Sequence, residues 1–152
     1  MGDLYHDDIL EWSERQARLL RDVAAGWQGN PRKSQGDFAE APDWANVIEE
    51  IESVGRSQLS ALKSLLVQAL LHDLKGAAWP LSRDVPHWQA EARGFRDEAA
   101  EAYAPSMRQH IDVAELYRKA LRRMPESVDG QPPLPVPDVC PVTLDELLGT
   151  RP

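Results

Sequence analysis

The feature that most constrains the fold is a long run, from Trp44 to Leu74, in which apolar side chains recur with helical spacing. At 100° per residue these positions fall on one side of a helix. They are Trp44, Val47, Ile48, Ile51, Val54, Leu62, Leu65, Leu66 and Ala69. A rise of about 1.5 Å per residue makes such a helix roughly 45 to 50 Å long. A helix of that length with one apolar side has to pack against other helices, so the run predicts a helical protein.

Two residues define this helix further. Asp43 follows Pro42 and is predicted to be the N-cap, because its carboxylate can accept hydrogen bonds from the free amides of the first turn. Gly55 is a weak helix former in the middle of the run and costs about 1 kcal/mol relative to Ala. Because Gly55 lies on the apolar side, we expect a close approach by another helix there rather than a kink.

Three more segments have the same period and are separated by Gly or Pro. They are residues 7–25, 88–103 and 106–124. Residues 31–42 are polar and aperiodic, which predicts a surface loop. The proline-rich residues 125–141 predict an extended tail. Thr143 and Glu146 match a capping box, which predicts a short helix over residues 143–149.

The sequence therefore predicts an all-α fold. We expect a four-helix up-and-down-like bundle with a proline-rich extended tail and a short C-terminal helix. The length of 152 residues allows one sizeable core, so residues 1–152 are predicted to form a single helical domain. The short connections favour antiparallel neighbours, while the longer loop over residues 31–42 leaves the order of the helices open.

Charge and cysteine content exclude several classes of protein. The net charge of −8 argues against nucleic acid as the main partner. The basic residues from Arg118 to Arg123 fit a solvated last helical turn, with a nucleic-acid-associated regulator as a weaker alternative. A single Cys excludes a disulfide framework and a zinc site made of several thiolates. The apolar runs are too short to span a membrane, and the acidic start does not fit a secretory signal, so we expect a cytoplasmic protein.

Polar residues on the other side of the long helix, together with Glu52 and Arg56 on the flanks of the apolar side, form the candidate binding face. They are Asn46, Glu49, Glu50, Glu52, Ser53 and Arg56. One interpretation is a solvated face stabilised by the i, i+4 pair of Glu52 and Arg56. The other is a surface that receives a partner. The pattern alone does not decide between them.

A candidate secondary site follows at the far end of the same helix, where His72, Asp73 and Lys75 lie close together in sequence. The helical period turns Asp73 inward, so its carboxylate needs a cationic partner such as Lys75 or an Arg from another helix. A metal-dependent enzyme with Glu49, Glu52 and His72 as ligands is the alternative function. The Glu-x-x-His motif of helical metal sites is missing, so no metal site is predicted.

No catalytic set or cofactor motif is complete. Cys140 has no His near it in sequence, and Gly26 and Gly29 fit neither the dinucleotide nor the Walker spacing. We therefore predict no catalytic residues and no cofactor.

The order of several motifs resembles the bacterial domain-of-unknown-function 29 family of small all-helical proteins. The segments that carry the resemblance are Leu4-Tyr5, residues 48–57, His72-Asp73-Leu74-Lys75, Pro105-Ser106 and residues 140–144. It extends over nearly the whole chain, and residues 48–57 are its most specific part. The resemblance implies a helical bundle in the bacterial cytoplasm and supplies no activity.

The function predicted from these features is that of a non-enzymatic helical interaction or regulatory protein. It would bind a protein partner or a second copy of itself through the candidate binding face. The sequence gives no indication of a small-molecule ligand.

Overall fold

The computed structural model describes residues 2–28 and 41–149, and within them the secondary structure is helical. The elements in order are α1 (Leu4–Asp7), α2 (Ile9–Gln28), α3 (Trp44–Ala78), α4 (Val85–Ala102), a 3-10 helix (Pro105–His110), α5 (Val113–Arg122) and α6 (Leu144–Leu148). A single bridge between Val128 and Gln131 is the one β-type pairing in this part of the chain. The all-α prediction is confirmed.

The chain divides into two compact units. Unit 1 comprises Met1–Leu59 and Ala104–Met107. Unit 2 comprises Ser60–Tyr103 and Arg108–Pro152. The long helix α3 therefore contributes its first half to unit 1 and its second half to unit 2.

In unit 1, α2 packs antiparallel against the first half of α3. Leu10 and Ser13 near the start of α2 contact Gly55, and Trp27 near its end lies 6.5 Å from Trp44 between ring centroids. A Cβ added at Gly55 would come within 2.9 Å of the Leu10 Cδ1 atom. The predicted close approach at Gly55 is confirmed, because only a residue without a side chain fits there.

Asp8 separates α1 from α2 and caps α2. Its Oδ1 accepts a hydrogen bond from the Glu11 amide over 3.0 Å. Ser106, from the second segment of unit 1, donates to the same carboxylate through its amide over 2.9 Å and its hydroxyl over 2.6 Å. The prediction of one helix over residues 7–25 is wrong at both ends, since Asp8 starts a new helix and that helix continues to Gln28.

In unit 2, the second half of α3 contacts α4, and α4 contacts α6. The buried residues of these elements and of α5 include Leu62, Leu66, Leu70, Trp88, Ala92, Leu116, Tyr117 and Leu147. The helical period of each segment places these side chains on one side of its helix. They form the core of unit 2.

The sequence predicts one helix over residues 106–124. The structure has a 3-10 helix followed by α5 instead. Asp112 is the cause, because its carboxylate accepts hydrogen bonds from the amides of Ala114 over 3.0 Å and Glu115 over 3.3 Å. An aspartate that binds the first free amides starts a helix and does not continue one.

The proline-rich tail is extended only in part. Asp129 and Gly130 adopt φ values of 52° and 76°, which form a tight turn between Val128 and Gln131. Beyond the turn, the Leu134 amide donates to the Ala78 carbonyl oxygen over 2.9 Å. Trp79 donates from Nε1 to the Gln131 carbonyl oxygen over 2.9 Å. These hydrogen bonds attach the tail to the end of α3.

The predicted short C-terminal helix is confirmed as α6, where Thr143 accepts a hydrogen bond from the Glu146 amide over 3.2 Å. Residues 31–40 of the predicted surface loop over residues 31–42 lie outside the described residues. None of the described helices combines the length and apolar character needed to cross a membrane.

Candidate functional site

The polar side of the first half of α3 carries the six residues predicted as a binding face. They are Asn46, Glu49, Glu50, Glu52, Ser53 and Arg56. Glu52 and Ser53 are half-buried and the other four are exposed. The structure therefore places most of the candidate binding face on the surface of unit 1.

Several charges of this face are already paired within unit 1. Arg56 binds Glu49, and its Nη1 lies 3.5 Å from Oε2 of Glu52. Arg21 of α2 binds the other carboxylate oxygen of Glu52. Exposed pairs of this kind contribute little to stability. They do neutralise most of the charge that a partner would otherwise meet.

The remaining polar residues of the face differ in whether their side chains make hydrogen bonds. Asn46 donates from Nδ2 to Asp43 over 2.6 Å, and its amide donates to the same carboxylate over 3.3 Å, which confirms Asp43 as the N-cap. Ser53 donates to the Glu50 carbonyl oxygen over 2.8 Å. The Glu50 carboxylate has no such contact within the part of the chain that the structure describes. Glu50 is therefore the carboxylate of this face that can accept a charged partner.

Large apolar side chains are exposed on the same two helices. On α2 the exposed fractions are 58% for Leu19, 53% for Val23 and 41% for Trp27. On α3 they are 39% for Val47 and 38% for Val54. Isolated exposed apolar residues are common on protein surfaces, but a contiguous apolar patch marks an interaction site.

These five residues share one face of the hairpin. At 100° per residue, the exposed apolar residues of each helix lie about a quarter turn around that helix from the line along which α2 and α3 touch. Viewed from the N-terminus of each helix, this rotation has the same direction on α2 and on α3. Because the two helices are antiparallel, rotation in the same direction brings the exposed apolar residues of both helices to the same side of the hairpin. We call this surface the apolar hairpin face. Glu49, Glu52 and Arg56 are rotated the opposite way and lie on the other side.

A depression of about 490 Å³ adjoins the apolar hairpin face on α2. Its lining residues are Leu4, Trp12, Arg15, Gln16, Arg18 and Leu19. Trp12 packs edge-on against Tyr5, with 4.9 Å between ring centroids. Arg15 and Arg18 have no ion pair within the described residues. The depression thus combines an apolar surface with two cations that can bind carboxylates.

The candidate secondary site lies in unit 2, where His72 connects α3 to α4. The buried His72 ring has Nε2 2.6 Å from a carboxylate oxygen of Glu91 and Nδ1 2.7 Å from the Gln68 carbonyl oxygen. His87 Nε2 lies 3.3 Å from the other oxygen of Glu91. Both ring nitrogens of His72 therefore contact other residues of unit 2.

Asp73 and Lys75 also contact α4. Asp73 binds Arg96, which is the kind of partner expected for an inward-facing carboxylate. Burial raises the pKa of the Asp73 carboxyl, and the positive charge of Arg96 opposes this only in part. The Lys75 ammonium lies 5.4 Å from the centroid of the Trp88 ring. These contacts join α3 to α4.

The structure does not bring the alternative metal ligands together. Glu49 and Glu52 bind arginines, whereas His72 binds Glu91 and follows Glu52 by more than five turns of about 3.6 residues in the same helix. Within residues 2–28 and 41–149, His, Cys, Asp and Glu side chains do not gather in a group of three that could hold a metal ion.

Comparison with known proteins identifies the family. The family model described as domain of unknown function DUF29 matches residues 4–151, nearly the whole chain. The chain belongs to the DUF29 family. The resemblance of its motifs to that family is confirmed. No curated protein matches this DUF29 chain.

One solved structure shares the fold. It is an alpha-helical protein of unknown function from Rhodospirillum rubrum ATCC 11170, with a TM-score of 0.78 and 23% sequence identity. The match covers 97% of this DUF29 chain and 90% of that chain. At this level of identity the likeness establishes the helical fold alone.

Sequence reasoning missed two groups of residues in this DUF29 chain. The first is the exposed apolar set on α2, because Leu19, Val23 and Trp27 belong to a periodic stripe that predicts burial. The second is the long-range partners Ser106 and Glu91. A helical wheel of α2 could have shown that its apolar side is too wide for one neighbouring helix to cover. No local signal identifies the distant partners.

Proposed function

We propose that this protein is a non-enzymatic helical interaction module that binds another polypeptide through the α2–α3 hairpin of unit 1. The observation that carries the proposal is the apolar hairpin face, on which five large side chains are between 38% and 58% exposed. Their burial against a partner would be favourable at about 25 cal/mol for each Å² removed from water.

The candidate binding face contributes to this surface through one edge. Glu50 lies next to the apolar hairpin face, whereas Glu49, Glu52 and Arg56 pair with one another on the opposite side. A polar rim around an apolar centre is typical of protein interfaces. In this proposal Glu50 supplies rim contacts, while Glu52 joins α3 to α2 through Arg21.

A crosslinking experiment in cells tests the proposal. A photoreactive amino acid that replaces Val23, at the centre of the apolar hairpin face, is expected to give a covalent adduct with a polypeptide on irradiation. The matched control carries the same amino acid at Arg93, an exposed position of α4 in unit 2. Equal adducts at both positions, or no polypeptide adduct at Val23, would refute the proposal.

A further inference from the structure

We infer that residues 132–137 of unit 2 are a separate interaction site, a polyproline II segment that binds an aromatic-lined groove of a partner protein. Four of these six residues are prolines, and each proline ring fixes φ at about −65°. A residue before proline is also held in the extended region, which applies to Pro132, Leu134 and Val136. The chain makes no turn or bend over residues 132–137. The segment therefore has the conformation that such grooves select.

Unit 2 holds this segment in place along one side. The Leu134 amide donates to the Ala78 carbonyl oxygen over 2.9 Å, and the Tyr117 hydroxyl donates to the Pro137 carbonyl oxygen. Val136 is partly buried against the core of unit 2. A partner therefore meets a segment that is already ordered, and binding does not have to order it.

The other side of the segment is open to solvent. Polyproline II has three residues per turn, so Pro132 and Pro135 share one edge, and Leu134 and Pro137 share another. All four residues are exposed, Leu134 by 54%. Val136 lies on the third edge. Two apolar edges are therefore free to contact a partner.

The backbone of the segment determines which hydrogen-bonding groups the partner needs. Prolines have no N–H, and the Leu134 amide is already bound to Ala78. The carbonyl oxygens of Pro132, Pro133 and Pro135 accept no hydrogen bond within the described residues. The segment thus presents apolar rings and acceptors. Trp and Tyr side chains match it, because each combines an apolar ring with an N–H or O–H donor.

A depression of about 280 Å³ adjoins the segment. Trp79, Leu81, Pro132 and Leu134 are among its lining residues. Leu81 is 97% exposed, and contact with a partner would remove this apolar side chain from water. The depression therefore extends the apolar surface that an aromatic side chain of the partner can contact.

Charges at the ends of the segment specify the partner further. Asp129 precedes the segment and is the one charged residue that lines the depression. Asp138 follows the segment, and neither carboxylate has an ion pair within the part of the chain that the structure describes. Residues 124–150 contain no Lys, Arg or His, and Arg83 is adjacent to Asp84. The groove is therefore expected to carry cations at its ends.

Photocrosslinking in the native host tests the inference. A photoreactive amino acid in place of Leu134 is expected to give an adduct with a partner protein, and mass spectrometry is expected to place the crosslink beside a Trp or Tyr of that protein. The same amino acid at Arg93, an exposed position of α4 in unit 2, is the control and is expected to give no such adduct. No adduct at Leu134, equal adducts at both positions, or a crosslink remote from Trp and Tyr would overturn the inference.

Calorimetric titration of the purified partner with the full-length chain separates polyproline recognition from other contacts. Pro132→Ala/Pro135→Ala is expected to raise the dissociation constant about tenfold or more, because it removes two rings from an exposed edge and frees the backbone. Pro86→Ala changes an exposed proline of α4 and is expected to have no effect. Decaproline is expected to displace the chain from the partner, whereas decaglycine is not.

Two results of the titration would overturn the inference. One is a double variant that binds as tightly as the wild type, and the other is a partner that millimolar decaproline does not displace. The NMR signal of the Trp79 Nε1 proton, which is bonded to the Gln131 carbonyl oxygen, verifies that the tail stays attached to α3. If the double variant loses this signal, Pro135→Ala alone takes its place and is expected to weaken binding several-fold.

Discussion

Asp8 carries a carboxylate that is only 5% exposed and that joins two segments distant in sequence. Burial would raise the pKa of Asp8, but hydrogen bonds from the Ser106 hydroxyl and from the amides of Glu11, Ser106 and Leu10 outweigh it and lower the pKa below its ordinary value of 3.8. A carboxylate with a lowered pKa stabilises the folded state above pH 3.8, and that contribution is lost as the pH falls through the lowered value.

The substitution Asp8→Asn tests this role. We expect the variant to be less stable at pH 7 by about 1–3 kcal/mol, since an amide replaces an ionised acceptor of several hydrogen bonds. We also expect its free energy of unfolding to fall less than that of the wild type between pH 4 and pH 2. Urea unfolding at several pH values measures both effects. Asp7→Asn changes an exposed neighbour and is the control. A variant that loses stability in parallel with the wild type on acidification would contradict the assignment.

Among the elements, α3 offers a test of how closely α2 approaches it. Gly55→Ala adds a Cβ that meets Ser13 and Leu10, so the gain in helix propensity is outweighed and we expect a loss of about 1–3 kcal/mol. Gly76→Ala in the same helix adds a Cβ with nothing within 4 Å, so we expect a gain of up to about 1 kcal/mol. Thermal unfolding of the two variants compares them directly. The close approach would be disproved if both substitutions stabilised the protein equally.

The elements also show where sequence patterns are sufficient. The start of α3 at Trp44, the role of Gly55 and the cap at Thr143 all depend on residues within one turn or on one side of a helix, and the sequence predicts them correctly. The break before α5 also has a local cause, since Asp112 binds the amides of Ala114 and Glu115. The apolar period continues across that break, and periodicity alone therefore gave one helix instead of two.

At the scale of the whole molecule, the limits of sequence reasoning concern partners that are far apart in the chain. The sequence indicates that Asp73 needs a cation, but Arg96 becomes that cation only through the packing of α3 on α4. Likewise, an apolar stripe on α2 has the same pattern whether a neighbour covers it or not. The number of neighbours is a property of the fold, so only the structure shows that Leu19 and Val23 are exposed.

The two units are expected to respond differently to the polypeptide that crosslinks to Val23. When this polypeptide covers the apolar hairpin face, the amides of α2 become harder to open, because opening then also breaks the interface. Hydrogen exchange measured without and with the purified polypeptide is therefore expected to slow over residues 19–27 and to stay unchanged over α5 in unit 2. Val23→Asp should remove the effect of the polypeptide without changing exchange in α5. A change of equal size in both units, or in α5 alone, would place the contact elsewhere on the molecule.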